Sequence, residues 1–263
     1  MTNSTEKQIE HFNRIASEYY NARQNPRSSL LYSKIWETVF SNKLFKDLKA
    51  PLNVLDAMCG FANGYDILKC NLKTDFCYSG FDYSEEMVNY ASQRNPSLRL
   101  FVCDILNYSE EETYDIILLI GGLHHVYASA GQAVSNISKA LKPGGFFINF
   151  EPTNNNFLWK WIRNRIYKKN VIFDAETEKA FTINELHTIT QKNNLKAIDE
   201  LYPGLLAYVL WYNPDAFPSL NIGSLSFVST FCKLESNLWR TFFARYFSFA
   251  TLTVYKKLKS PPQ

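Results

Sequence analysis

Three acidic residues sit at the ends of short apolar runs and are the first candidates for chemistry. Asp56 lies in Asn53–Ala57, Asp82 closes Phe76–Asp82, and Asp104 follows Leu98–Cys103. After Asp56 comes a turn containing Gly60 and Gly64, and a carboxylate there attracts a cationic group and repels a phosphate. Asp82 can accept hydrogen bonds from both hydroxyls of a ribose. Asp104 can accept from an adenine amino group, with Met87 and Ile105 available to sandwich the ring. A fourth run, Tyr114–Ile120, leads into Gly121-Gly122-Leu123-His124-His125. Imidazole titrates near neutral pH and is the commonest proton-transfer group; His125 is the candidate base, with His124 read as packing.

These residues need strands that end together. Residues 51–151 alternate β-type and helical patterns. Strands are expected at Asn53–Ala57, Phe76–Asp82, Leu98–Cys103, Tyr114–Ile120 and Gly145–Glu151, with helices over Gly64–Leu72, Ser84–Arg94 and Ala128–Leu141. That alternation predicts an α/β doubly wound, mostly parallel sheet. Pro143-Gly144-Gly145 reads as a helix stop before the fifth strand. Residues 1–50 are helical and polar with recurring aromatics, and form an expected N-terminal cover over a domain at 51–263. In the remainder, Thr182-Ile-Asn-Glu185 is a capping-box pattern, and Leu195–Tyr202 and Thr251–Tyr255 read as two more strands. Insertions are expected at about 152–181 and 203–248, the second an aromatic lid: residues 202–249 hold 13 aromatics.

The chain has 263 residues, 46% of them hydrophobic, with a net charge of +3. That is enough apolar material for one large core, and it excludes a disordered chain or a nucleic-acid-binding tail. No apolar run approaches the 18 or so residues of a membrane span. The N-terminus lacks a signal-type apolar core, so a cytoplasmic location is expected. The five cysteines form no CxxC and read as reduced thiols, and no metal-ligand set is visible. Charge is uneven: residues 1–150 carry 14 basic and 16 acidic residues, net −2, and residues 151–263 carry 14 and 9, net +5. Phe157–Lys169 holds five cations and no acid. It reads as a solvated helix face, with peripheral membrane contact the sharper alternative.

Two cofactor classes use a strand–turn–helix of the Val54–Gly64 kind. Dinucleotides need G-x-G-x-x-G at the turn, but here Met58 holds the first glycine position and Asp56 opposes a pyrophosphate. S-adenosylmethionine has a cationic amino end and no phosphate, and suits the acid. The ordered set Val54–Gly64, Gly80–Met87, Phe101–Leu106, Asp115–His125 and Ala140–Phe146 resembles the class I S-adenosylmethionine-dependent methyltransferases. It is similar to the small-molecule group that includes the quinone-biosynthesis enzymes. His11–Tyr20 also resembles that group's N-terminal helix, which covers the cofactor.

The resemblance implies a Rossmann-like seven-stranded sheet with the last strand antiparallel. It implies methyl transfer from S-adenosylmethionine to a small, hydrophobic or aromatic acceptor by direct in-line displacement. Asp56, Ala57, Cys59 and Gly60 would line the methionine end of the cofactor. Asp82 and Tyr83 would hold the ribose, Asp104, Ile105 and Met87 the adenine, and Tyr20 would cover it. Gly121 and His125 would flank the transferring methyl. Met58 and Ala62 depart from the family's usual glycines, which keeps a cofactor-binding protein without transfer activity as the alternative.

Overall fold

The structure, a computed structural model, describes residues 24–45, 48–155, 179–212, 214 and 218–259. Its centre is one seven-stranded sheet: β1 (Leu52–Ala57), β2 (Phe76–Asp82), β3 (Arg99–Val102), β4 (Tyr114–Ile120), β5 (Leu141–Pro152), β6 (Leu195–Leu201) and β7 (Ala250–Lys257). The order is β3-β2-β1-β4-β5-β7-β6. The first five strands run parallel, and β7 runs antiparallel to both β5 and β6. The expected mostly parallel sheet, with its last strand reversed, is what forms.

Strand alternation divides the core. Ile116 and Leu118 of β4 face one apolar cluster, with Val54 and Ile148. Ile117 and Leu119 face the other, with Leu55 and Phe147. Helix α1 (Pro26–Phe40) sits on the first face through Leu31, Ile35, Trp36 and Val39. Asn25 caps its start by accepting from the Arg27 amide, and Pro26 occupies the first turn, where no amide partner is needed. Helix α2 (Asn63–Asn71) follows β1 and α3 (Glu85–Arg94) follows β2. On the second face lie α4 (Ala130–Ala140) and α5 (Ile183–Lys192). The Thr182–Glu185 capping box closes reciprocally at the start of α5.

The insert before β7 contains α6 (Leu206–Trp211), α7 (Leu225–Glu235) and α8 (Phe242–Phe247). Trp211, Tyr212, Trp239 and Tyr202 are buried in the first-face cluster, so these rings pin the insert to the sheet and to α1. Ser28 Oγ donates to the Trp211 carbonyl, and Arg27 Nε donates to that of Gly223 at 2.7 Å. Phe227, Phe242 and Phe243, by contrast, are exposed. Among the described residues no helix is long and apolar enough to cross a membrane.

One expectation is corrected. Pro143-Gly144-Gly145 does not precede the fifth strand. Leu141 already pairs with Tyr114, and the register resumes at Ile116–Phe146. The Pro-Gly-Gly stretch is a bulge inside β5, where Gly144 at φ +84° takes the left-handed backbone.

Candidate active site

The order of β1 and β4 reverses the direction in which the strands are laid down. Ligands bind beyond the strand ends at such a switch point. A cleft with about 750 Å³ of empty, solvent-open space lies there. Asp56, Cys59, Gly60, Asp82, Tyr83, Met87, Gly121 and His125 all line it. Ala57, Asp104 and Ile105 do not. Ala57 and Ile105 are buried, and Asp104 Oδ1 is taken by the Leu106 amide at 2.9 Å, capping a short 3-10 turn. Tyr20 and Phe157–Lys169 fall outside the described residues.

Asp56 is 2% exposed. Tyr78 donates to its Oδ2 at 2.6 Å. Burial pushes its carboxyl up to about 7, opposed by the Tyr78 hydroxyl and the Gly64 amide. Gly64 is required here: a Cβ on it would stand 2.2 Å from Asp56 Oδ2. Asp82 accepts from the Gly60 amide at 2.9 Å and the Ser84 amide at 3.0 Å. Its carboxyl therefore ties the β1 turn to the end of β2. Burial raises its pKa, and the backbone donors oppose that rise. The Cys59 thiol is pushed well up, by burial first and then by Asp56 and Asp82, so it stays protonated and packs under Gly80.

The turn after β1 is left-handed at Met58 (φ 55°), Gly60 (φ 52°) and Ala62 (φ 58°). Met58 and Ala62 thus keep the backbone a glycine would take, at about 1–2 kcal/mol each. The Met58 side chain packs on Gly122, where an added Cβ would meet it at 3.0 Å.

The cleft is also lined by Tyr32, Phe61, Ile120 and Gly122. The Tyr32 ring stacks on Tyr212 at 5.3 Å, which stacks on Tyr208 at 4.2 Å. The Tyr212 hydroxyl reaches that of Tyr32 at 3.2 Å. Sequence reasoning missed Tyr32, and it missed Glu151 behind the β4 turn. Glu151 accepts from the amides of Gly122, Leu123 and His124 and meets His124 Nδ1 at 2.8 Å.

Among the described residues no Lys or Arg lines the cleft, and two buried carboxylates do. That suits a cationic, phosphate-free ligand and opposes a dinucleotide. Residues 54–145 match the family model described as a methyltransferase domain. Residues 54–145 are a methyltransferase domain. A demethylmenaquinone methyltransferase from Leptospira interrogans is 26% identical over 171 residues, covering 62% of this chain and 67% of the relative. The fold of this methyltransferase is shared with a SAM-dependent methyltransferase from Thermotoga maritima (TM-score 0.61, 16% identity, 94% and 99% covered). It is also shared with the [4+2]-cyclase SpnF (TM-score 0.58, 12% identity, 87% and 81% covered). At such identities these two likenesses show the fold alone.

Proposed function

We propose that this methyltransferase moves the methyl of S-adenosylmethionine to a small hydrophobic or aromatic acceptor bound against Tyr32. The carrying observation is the lining of the cleft: buried acids at the ends of β1 and β2 together with aromatic and aliphatic side chains. S-adenosylmethionine supplies a methyl already activated by its positive sulfur, so the protein's task is alignment, and proximity supplies much of the rate. In this reading Asp56 and the Gly60 turn hold the amino-acid end, and Asp82 with Tyr83 holds the ribose. Met87 serves the adenine, with Asp104 and Ile105 shaping the turn behind it from outside the cleft lining, and Ala57 and Cys59 packing beneath the β1 turn. Gly121 and His125 flank the methyl, and Tyr20 closes over it from the N-terminal cover. His125 takes a proton where the acceptor is a hydroxyl or an acidic carbon.

The Leptospira relative's name supports an aromatic acceptor of the hydroquinone class. The stacked Tyr32–Tyr212–Tyr208 rings support one too, because small-molecule pockets are mostly apolar with few polar anchors. The test is methyl transfer from labelled S-adenosylmethionine to a panel holding reduced naphthoquinones, phenols and small amines. Product on the first two supports the reading; product only on charged amines overturns it.

A peripheral membrane contact belongs to the same reading. Phe242 is 82% exposed on α8, and the sequence carries the basic, aromatic stretch Phe157–Lys169, which lies outside the described residues. We place the enzyme in the cytoplasm, resting on anionic lipid to meet a lipid-like acceptor. Equal sedimentation with neutral and anionic vesicles at low salt removes the membrane contact.

A further inference from the structure

We propose that Glu151 is the positioning residue of the methyl-transfer site, acting through His124 to set the turn that carries His125. The proposal rests on the reading above only where it places His125 beside the methyl.

Glu151 projects from β5, an interior strand between β4 and β7, and its Cα pairs with that of Thr251. Its side chain is fully buried. Both oxygens are engaged by the chain that leaves β4. Oε1 accepts from Gly122 N at 3.1 Å and Leu123 N at 2.8 Å, and Oε2 from His124 N at 3.4 Å. The same Oε2 meets His124 Nδ1 at 2.8 Å. Successive amides converging on one point form an anion-binding nest. Here the occupant is the protein's own carboxylate.

Gly121 takes φ +67° and donates to the Phe150 carbonyl at 2.7 Å, and His125 N donates to Gly122 O at 3.1 Å. The 3-10 stretch that follows is broken at Val126 and has no side-chain cap of its own. The Glu151 carboxylate therefore fixes where the turn sits against the sheet. The consequence reaches the cleft through adjacent groups. Gly121, Gly122 and His125 line it, and the His125 ring lies 4.0 Å from that of His124. With Nδ1 held by Glu151, the His124 ring is fixed in orientation, and so is the surface on which His125 rests. Burial pushes the Glu151 carboxyl up to about 8, and its three backbone donors oppose that rise.

The test compares full-length wild type, Glu151→Gln and Glu151→Ala, each labelled with 15N-histidine, with S-adenosylmethionine as the probe. Wild type should show a slowly exchanging His124 Nδ1 proton and a His125 ring signal that shifts when the probe is added. Glu151→Gln should lose the first and displace the second, while calorimetric affinity for S-adenosylmethionine stays within threefold. On whichever panel acceptor wild type methylates, kcat per folded molecule should fall at least tenfold, with KM for the cofactor unchanged. If Glu151→Gln lowers only stability, leaving the His125 signal and kcat intact, Glu151 is structural and the proposal fails. Should neither Glu151 variant fold, His124→Asn and His124→Ala decide. Asn keeps a donor near the Nδ1 position and should hold the His125 signal where Ala displaces it; equal behaviour overturns the proposal. Loss of probe binding by wild type would refute the cofactor reading alone, because the His124 proton is observed without the probe.

Discussion

Replacing Asp82 by Asn keeps the shape of the side chain and removes one acceptor oxygen and the charge. In the structure Oδ2 takes the Gly60 amide and Oδ1 the Ser84 amide. A carboxylate has about four lone-pair sites, and the Gly60, Ser84 and Tyr83 amides draw on up to three of them, so at least one remains for a ribose hydroxyl. Asn offers one oxygen, and its amide nitrogen must then face one of the two backbone donors. That leaves a buried unsatisfied group, which costs about 1–3 kcal/mol of stability without any ligand. Hydrogen bonds to a charged acceptor contribute about 1.5–3 kcal/mol each, so loss of even one ribose bond weakens S-adenosylmethionine at least tenfold, the equivalent of about 1.4 kcal/mol. Two measurements on one preparation separate the roles: urea denaturation of the ligand-free protein, and calorimetric titration with the cofactor. A stability loss with unchanged cofactor affinity would refute the ribose assignment and leave Asp82 as a clamp between two turns. Asp82→Ala should lose more stability, since both amides are then orphaned, with the same minimum tenfold loss of affinity.

Gly64→Ala should weaken S-adenosylmethionine at least tenfold by calorimetry, because the new Cβ lands 2.2 Å from Asp56 Oδ2 and displaces the carboxylate. The Asp56 carboxyl titrates near 7 in the fold. The folded state therefore keeps a proton that the unfolded state loses, and stability falls as pH rises from about 4 to 7. Asp56→Asn should remove this part of the slope, gaining on wild type between pH 6 and 8 in ligand-free denaturation, while cofactor affinity drops most at pH 8. Ala62→Gly should change denaturation stability by less than about 1 kcal/mol, since relief of the left-handed backbone, about 1–2 kcal/mol, offsets the lost methyl burial of about 0.8 kcal/mol and the freer unfolded chain, about 0.5–1 kcal/mol. His125→Ala should lower turnover by about 10²–10⁴ on an acceptor that must lose a proton, with calorimetric cofactor affinity nearly unchanged.

The strands were legible because each is a short apolar run bounded by turn residues, and two of the helices because a side chain caps their start. Ser84 and Thr182 act in the structure as their types and positions predict. Third-strand length was less legible: β3 stops at Val102, and the Cys103 amide turns instead to the Asp82 carbonyl at 2.9 Å. The β5 start was misread because Pro143 suggests a stop, whereas a bulge absorbs it without breaking the ladder. Glu151 was hidden for a different reason. In sequence it closes the apolar run Phe146–Phe150, and its partners are backbone amides of residues 122–124. Amides carry no residue signature, so no spacing rule points to them. The one available signal was position, since the carboxyl ends of central strands are where such sheets build their sites.

The two halves of the site differ in how the chain builds them. The acid-lined half is local: Asp56, Gly60 and Gly64 lie within nine residues, and Asp82 sits on the strand paired next to them. Fixed spacing along a strand and its turn is a pattern a sequence can carry, which is why the cofactor class was readable from residues 54–106. The other half is assembled from α1, the β4 turn and the insert, with Tyr32 and Tyr212 separated by 180 residues. Its shape depends on how the aromatic insert docks on α1 through Trp211 and Trp239. Loops and insertions tolerate change that the sheet does not. Under the proposed reading, redrawing the Tyr32 side would change the acceptor while the acid-lined half keeps the donor.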